Sequence, residues 1–295
     1  MSDGLIKFAE ENSIELRRDE PMSAHTSFRI GGPARLYACV RAELAPHLRE
    51  LARAAGLKTL VTGNGSNLLV ADAGYDGLVL RLADEPPQLR EDGVIYAPAG
   101  TGLARLAAFA AEHELSGLEF AAGIPGSVGG AVMMNAGAYG GQMSDVLTLT
   151  RYWDGEAREM RTEDGGFGYR RSPFFGTDAL VLGAEIRLRR GERGEIEAKM
   201  AELAAQRREK QPLNLPSAGS AFKRPQGHFA GKLIEDCGLK GYAVGGAQVS
   251  EKHAGFVINR GGATCADVLR LLEHIEKTVY DRFGVRLERE IQVIE

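Results

Sequence analysis

Two glycine-dense stretches offer the first chemistry in this sequence. Gly63-Asn64-Gly65-Ser66-Asn67-Leu68 follows a run, Lys58 to Val61, that reads as a β-strand, and Gly123-Ile124-Pro125-Gly126-Ser127-Val128-Gly129-Gly130 packs four glycines into eight residues. Glycine lets backbone N–H groups turn inward and approach an anion with no side chain in the way, so two such loops could grip a diphosphate from two sides. Each loop alone reads more readily as a tight turn at a sheet corner. Their co-occurrence with the hydroxyl and amide side chains of Ser66, Asn67 and Ser127 favours anion binding. Neither is a standard nucleotide fingerprint. A Walker loop requires Ser or Thr after Gly-Lys, and the Gly231-Lys232 pair is followed by Leu233. The G-x-G-x-x-G pattern fails at Leu68 and again at Arg105.

Other reactive groupings are missing. None of the six histidines falls in H-E-x-x-H or another ligand spacing, and no G-x-S-x-G occurs, which argues against a metal site and a hydrolase. The three cysteines, Cys39, Cys237 and Cys265, are odd in number and far apart, so neither a disulfide framework nor a zinc site is expected, and a reducing compartment is.

The elements that must position these loops can be read from periodicity. Apolar residues at Leu44, Leu48, Leu51, Ala52 and Ala55 describe a helix before the first loop, and Leu103 to Glu114 describes another before the second. Leu68 to Val70, Leu78 to Leu82 and Val94 to Pro98 read as short strands, so the first part alternates strand and helix. Val146 to Trp153 and Ala157 to Arg161 flank Asp154-Gly155, a two-residue hairpin signal, and Leu180 to Arg189 alternates as a strand with one apolar face. Arg190-Gly191-Glu192-Arg193-Gly194 is the best boundary candidate. Beyond it, Glu195 to Lys210 is an amphipathic helix stopped by Pro212, followed by a helix at Ala230 to Cys237 and a strand at Gly255 to Asn259. A long helix entered through a capping box at Thr264 to Asp267 carries Leu272, Ile275, Val279 and Phe283 as its buried stripe, and Gly284 caps it. Val285 to Ile294 alternates as a closing strand.

Composition limits the function classes. At 295 residues, about two domains' worth, and 44% hydrophobic, the chain can build proper cores. With 36 basic and 40 acidic residues the net charge is -4, so no field favours nucleic acid or an anionic membrane surface. The N-terminus carries acids where a secretory signal would carry bases, and no apolar run approaches about 18 residues, so a cytoplasmic protein without membrane insertion is expected. Glycine is the outlier: 38 residues, about 13% against an average near 7%. Seven of them lie between Gly123 and Gly141, which concentrates the excess at a location rather than spreading it as a linker would.

Several segments taken in order resemble one family, the UDP-N-acetylenolpyruvoylglucosamine reductases of bacterial peptidoglycan synthesis. They are His25-Thr26-Ser27-Phe28-Arg29-Ile30-Gly31-Gly32-Pro33-Ala34, the Gly63 to Leu69 loop, Gly117-Leu118-Glu119-Phe120 through Gly140, Phe167-Gly168-Tyr169-Arg170-Arg171-Ser172, Ala218-Gly219-Ser220-Ala221-Phe222-Lys223, Gly238-Leu239-Lys240-Gly241 and Leu287-Glu288-Arg289-Glu290. The resemblance spans nearly the whole chain. It implies an α+β fold: a two-subdomain FAD-binding domain of p-cresol methylhydroxylase type, the cofactor between the subdomains, plus a C-terminal α/β substrate-binding domain. The corresponding boundaries are an N-terminal segment 1–26, an FAD-binding domain 27–191 with subdomains of about 27–83 and 84–191, and a substrate domain 192–295.

The implied reaction is reduction of FAD by NADPH, hydride transfer to the enolpyruvyl C3 of a UDP-sugar and protonation at C2. Hydride addition to an enol ether conjugated with a carboxylate spreads negative charge toward that carboxylate, so the chemistry needs a cation there and a proton source. In the family pattern these fall on Arg170, Glu290 and Ser220, with Ser220 as the proton donor; the resemblance also sets Lys210 and Tyr169 against the substrate. Read as residues alone, Ser220 is more readily a turn serine than a catalyst, Arg170 is equally a surface arginine beside Arg171, Lys210 a charge suited to a helix end, and Glu290 shares a polar face with Glu288. FAD contacts are expected from Gly63, Asn64, Gly65, Ser66, Asn67, Leu68, Gly123, Pro125, Gly126, Ser127, Gly129, Gly130 and Gly137, with Asn135 and Tyr139 nearby and His25 ranked below the loops. No inserted tyrosine loop separates Arg170 from Lys210, which places the chain in the loop-lacking subgroup, and Arg224 stands where some members carry asparagine. Two other functions fit the glycine loops, an FAD-linked oxidase of an alcohol or hydroxy acid and a non-catalytic nucleotide-sugar-binding protein; neither accounts for Ser220, Arg170 and Glu290 in register.

Overall fold

The computed structural model describes residues 3–295, which divide into two compact units, each drawing on three stretches of chain. The first takes the described residues up to Arg17, then Tyr37–Asn64 and Leu78–Arg207; the second takes Arg18–Leu36, Gly65–Gly77 and Arg208–Glu295.

In the first unit, helix α1 (Asp3–Glu11) packs on α2 (Ala45–Ala54), which packs in turn on the strand Lys58–Thr62. A five-stranded antiparallel sheet runs in the order Ala157–Arg161, Leu147–Trp153, Leu180–Arg187, Val94–Pro98, Gln88–Leu89. Its central strand does not bury one face alone. Leu180, Val181, Gly183, Ala184 and Ile186 are all buried, because α4 (Val128–Met134) packs on it in addition to its strand neighbours. Helix α3 (Leu103–Glu112) buries Leu103, Leu106 and Ala110, and α5 (Arg193–Lys210) buries only Ile196 and Leu203. The hairpin differs from expectation. Trp153 pairs with Ala157, so the loop has three residues, Asp154-Gly155-Glu156. Gly155 takes φ +112°, and Arg158 reaches back to both Asp154 and Glu156, which holds the longer loop closed.

The second unit is built on a four-stranded antiparallel sheet in the order Ser217–Ser220, Phe256–Asn259, Ala247–Val249, Ala243–Val244. Helices α6 (Ala230–Asp236) and α7 (Cys265–Phe283) pack together, α7 lies on the last two strands, and Val249, Val257, Leu271, Leu272, Ile275 and Val279 fill the space between. Phe283 leaves the predicted stripe: it is 39% exposed at the helix end, under the Arg282 guanidinium. Gly284 closes α7 in the left-handed region at φ +68°.

The closing segment is a strand only over Gln292–Ile294, which runs parallel to Leu68–Val70. Before that its backbone bonds elsewhere. Glu288 C=O accepts from Lys223 N–H at 2.8 Å, and Glu290 N–H donates to Ala221 C=O at 2.9 Å. A segment that divides its hydrogen bonds between two partners cannot form one continuous ladder, however regular its alternation.

All four donors at the α7 N-terminus are satisfied by side chains. Thr264 and Asp267 bond each other's N–H reciprocally at 3.0 and 3.2 Å, while Asp72 accepts from Cys265 N–H at 2.7 Å and Ala266 N–H at 3.0 Å. The bonds from Thr264 and Gly246 hold the Asp267 carboxyl below the usual range, and burial, with the charges of Asp72 and Glu295 nearby, pushes the Cys265 thiol up to about 11. Asp72→Ala removes two charge-assisted bonds from residues distant in sequence, and a loss of about 1–2 kcal/mol in urea unfolding is expected.

His253 carries a pH dependence in the same unit. Its Nδ1 accepts from Gly255 N–H at 3.1 Å and its ring stands edge-on to Phe256, and burial lowers its pKa below the ordinary 6.5. The neutral ring is favoured by folding, so this contribution is complete above about pH 6.5 and is lost as pH falls from there toward the lower folded value, where the unfolded chain takes up a proton first. Urea midpoints measured between pH 7.5 and 5.5 should fall more for the wild type than for His253→Gln.

Candidate functional site

The two glycine loops meet within the first unit at Gly63 and Asn64. Asn64 Nδ2 donates to Pro125 C=O at 3.1 Å, and a Cβ placed on Gly63 would stand 1.9 Å from Ser127 Oγ and 2.9 Å from Ser127 Cβ. Ser127 is buried and starts α4 from an extended conformation. The glycines after it divide by task. Gly129 is a packing glycine: its N–H bonds Ala99 C=O at 2.7 Å and a Cβ would press on Ala99 at 2.9 Å. Gly130 and Gly123 are exposed and bare: a Cβ on Gly130 would meet only Ser127 Oγ, and one on Gly123 only the Arg207 side chain. Pro125 is exposed and Gly126 half-buried on the same loop. Gly137 is required by a tight hairpin, where a Cβ would meet Gly141 C=O at 2.6 Å.

Arg207 does not stand out from its sequence context, a run of charged residues on α5. Its guanidinium is half-buried against Gly123 with no ion-pair or hydrogen-bond partner among the described residues, and burial lowers its pKa. A desolvated cation lacking a carboxylate, set beside bare backbone, is the donor set that an anion completes. The sequence holds one weak clue: Arg207 lies four residues beyond Leu203, on the buried side of α5.

Arg170 and Tyr169 also belong to this unit. Their turn is closed by mutual bonds between Gly168 and Arg171 at 3.0 and 3.1 Å. Arg170 takes φ +53°, its guanidinium lies 5.1 Å from the centre of the Tyr169 ring, and Nη2 donates to Gly137 C=O at 3.4 Å.

The second unit holds the remaining residues. Between Ser217 and Ser220 the strand register slips by one against Phe256 and Ile258, and Gly219 sits in the slip at φ +77°. Such a bulge re-aims the next side chain. Ser220 is half-buried and its hydroxyl makes no bond to the described protein. The following residue, Ala221, accepts the Glu290 N–H, so the structure brings Ser220 and Glu290 onto adjoining backbone. It also separates Glu290 from Glu288. The Glu288 side chain is 72% exposed and paired with Lys223 at 2.5 Å, whereas Glu290 is half-buried with its carbonyl held by Asn67 Nδ2 at 3.0 Å. Gly65 belongs here too, at φ +60° with a Cβ position 2.1 Å from His25 C=O. Its neighbours Ser66, Asn67 and Leu68 are half-buried, and His25 is hydrogen-bonded to Glu20 at 2.7 Å. Lys210 is exposed at the end of α5.

Residues 211–294 match the C-terminal domain of UDP-N-acetylenolpyruvoylglucosamine reductase, and residues 40–162 match an FAD binding domain. The UDP-N-acetylenolpyruvoylglucosamine reductase of Agathobacter rectalis is 49% identical, covering 100% of this chain and 99% of its own. That of Caldanaerobacter subterraneus is 47% identical, covering 99% and 97%. The crystal structure of the Thermus caldophilus reductase superposes with a TM-score of 0.80 at 39% identity, over 96% of this chain and 99% of that one.

The donor set around Gly63, Gly123, Gly130 and Arg207 fits the diphosphate of an FAD: bare backbone, a buried hydroxyl and an uncompensated cation. Gly63→Ala forces the first loop off Ser127, since rotating the hydroxyl still leaves Ser127 Cβ 2.9 Å away. The flavin-to-protein absorbance ratio of purified Gly63→Ala should fall at least severalfold. Gly194→Ala, whose added Cβ would meet nothing within 4 Å, should keep the wild-type ratio.

Proposed function

The chain belongs to the UDP-N-acetylenolpyruvoylglucosamine reductases, and from that membership we propose how its own residues serve the reaction. It is an FAD-dependent oxidoreductase that reduces the enolpyruvyl group of UDP-N-acetylglucosamine enolpyruvate to UDP-N-acetylmuramate in peptidoglycan precursor synthesis. NADPH is the electron donor, and the reaction runs in the cytoplasm, where the nucleotide-linked sugar and NADPH are available. No helix among the described residues is long and apolar enough to cross a membrane.

When bound, FAD would supply the two-electron chemistry that links NADPH to C3 of the enolpyruvyl group. Gly63 and Asn64 with Gly123 to Gly130 and Arg207 would hold its diphosphate. Arg170 binds the substrate carboxylate and stabilises the negative charge that spreads onto it once C3 is saturated. Ser220 delivers the proton to C2. A serine hydroxyl is a weak acid and its alkoxide needs a proton, so we assign the Glu290 carboxyl, on the adjoining backbone, as the acid that returns one to Ser220 Oγ as Ser220 donates to C2. Tyr169 and Lys210 contact the nucleotide-sugar.

The observation that carries this reading is the bulge at Gly219, which turns an unengaged Ser220 hydroxyl out of the strand beside the segment that fixes Glu290. Anaerobic spectroscopy tests it. The wild type should be yellow, bleach with NADPH and regain its colour on addition of the enolpyruvyl UDP-sugar. Ser220→Ala should bind FAD and be bleached by NADPH at the wild-type rate while losing at least about a hundredfold in sugar turnover, the scale expected for a general acid. Normal turnover by that variant would remove Ser220 from the proton-donor role.

A further inference from the structure

We propose that Asn135 is a positioning residue for Arg170, holding its guanidinium in place through the backbone of the turn that carries it; the proposal rests on the reading of Arg170 as the carboxylate-binding cation. Asn135 is 1% exposed and ends α4 in the left-handed region, φ 42° and ψ 56°. Every polar atom of its side chain is used. Nδ2 donates to Gly168 C=O at 3.0 Å and to Gln142 Oε1 at 3.3 Å, and Oδ1 accepts from Ser144 N–H at 2.9 Å. Gly168 is the first residue of the closed turn Gly168 to Arg171, so the Asn135 amide fixes the near end of the Arg170 turn.

The far end is fixed from the same place. Ser172 Oγ donates to Met133 C=O at 2.8 Å, and its oxygen accepts from Phe174 N–H at 3.3 Å. Both tethers therefore arise in the last turn of α4, one from a side chain and one from a carbonyl. The guanidinium itself donates to Gly137 C=O, two residues past Asn135. Arg170 adopts a conformation that costs a non-glycine residue of order 1 kcal/mol or more, and such a conformation persists only where its surroundings over-determine it. The first turn of α4 begins at Ser127 in the diphosphate loop, so one seven-residue helix, about 10 Å long, sets the Arg170 turn relative to that loop.

Asparagine meets two demands at once. It tolerates the left-handed conformation, as glycine does, and it presents both a donor and an acceptor. Glycine keeps the conformation and loses the amide; aspartate keeps shape and acceptor but turns a carboxylate oxygen toward Gly168 C=O and Gln142 Oε1. The two variants separate backbone conformation from donation.

The test is single-turnover reoxidation of the FAD holoenzyme, reduced with dithionite and mixed anaerobically with the enolpyruvyl UDP-sugar. Asn135→Gly and Asn135→Asp should keep the flavin-to-protein ratio within about twofold of wild type and slow reoxidation on the order of tenfold to a hundredfold, as expected when a catalytic group is displaced by about 1 Å. Ser172→Ala, which loosens only the far tether, should slow it less and guards against misfolding of the Asn135 variants. In an Arg170→Ala background, Asn135→Gly should add less than about twofold, because the group it positions is gone. Slow Arg170→Ala with normal reoxidation by both Asn135 variants would overturn the positioning role alone. Effects that multiply in the double variant, or a parallel loss of bound flavin, would overturn it as well. Normal reoxidation by Arg170→Ala would instead overturn the reading of Arg170.

Discussion

The approach of Gly63 to Ser127 is closer than any Cβ permits, and much of the first unit follows from it. Two loops separated by some sixty residues can share that space only if both present bare backbone. Their contact fixes where α4 begins, and Gly129 then seats the helix on Ala99 at a distance that again excludes a side chain. A helix pinned at its first turn against a sheet has a determined end. That end is where Asn135 and Met133 hold the Arg170 turn. Close packing at three glycine or asparagine positions thus sets geometry across a segment with little room for adjustment, since interiors transmit rather than absorb displacement.

The second unit reaches the same precision by a different route, through backbone hydrogen bonds to a segment that belongs to no single sheet. The chain from Glu288 to Ile294 bonds first to Ala221 and Lys223 and then to the strand Leu68–Val70, with Asn67 bridging at Glu290 C=O. Glu290 stands at the change of partner, where its N–H and C=O are both engaged, and this fixes the point from which its side chain extends. Asp72 secures the long helix from the same stretch of chain that supplies Asn67, so the final strand and α7 are tied to one short segment.

Elements with strong local signals are legible in the sequence. The capping box at Thr264 and Asp267, the glycine stop at Gly284 and the apolar stripe of α7 up to Val279 all depend on residues within a few positions of each other, and the structure contains each of them. Phe283 and the closing strand are not legible. Periodicity reports which face a residue would take in a regular element, but it contains no information on whether a partner strand is present along the whole length. Glu290 and Glu288 are equivalent by alternation, and burial, the Asn67 bond at Glu290 C=O and the Lys223 pair of Glu288 tell them apart. The register slip that turns Ser220 out is hidden for the same reason, because a bulge is a property of two strands and the sequence of one shows only a glycine. The family pattern pairs Ser220 with Glu290 without giving the physical cause of their adjacency.

Arg207 differs from the charges that pair at the surface. Many arginines here are matched to carboxylates at the surface, as Arg158 is to Asp154 and Glu156, or are bonded twice to one acid, as Arg289 is to Glu276. Those pairs contribute little individually in water. Arg207 is half-buried and matched to nothing among the described residues, so the protein alone bears its desolvation, which is why burial depresses its pKa. Placing an acid beside it would remove that cost and also neutralise the site. An anionic cofactor relieves the same cost on arrival, and because it binds the folded chain and not the unfolded one, it returns the difference as stability that rises with its concentration. The strain at Arg170 has a similar logic under the role proposed for it: a conformation unfavourable by itself is tethered by Asn135 and Ser172, and a guanidinium held in advance would lose less freedom when a carboxylate binds.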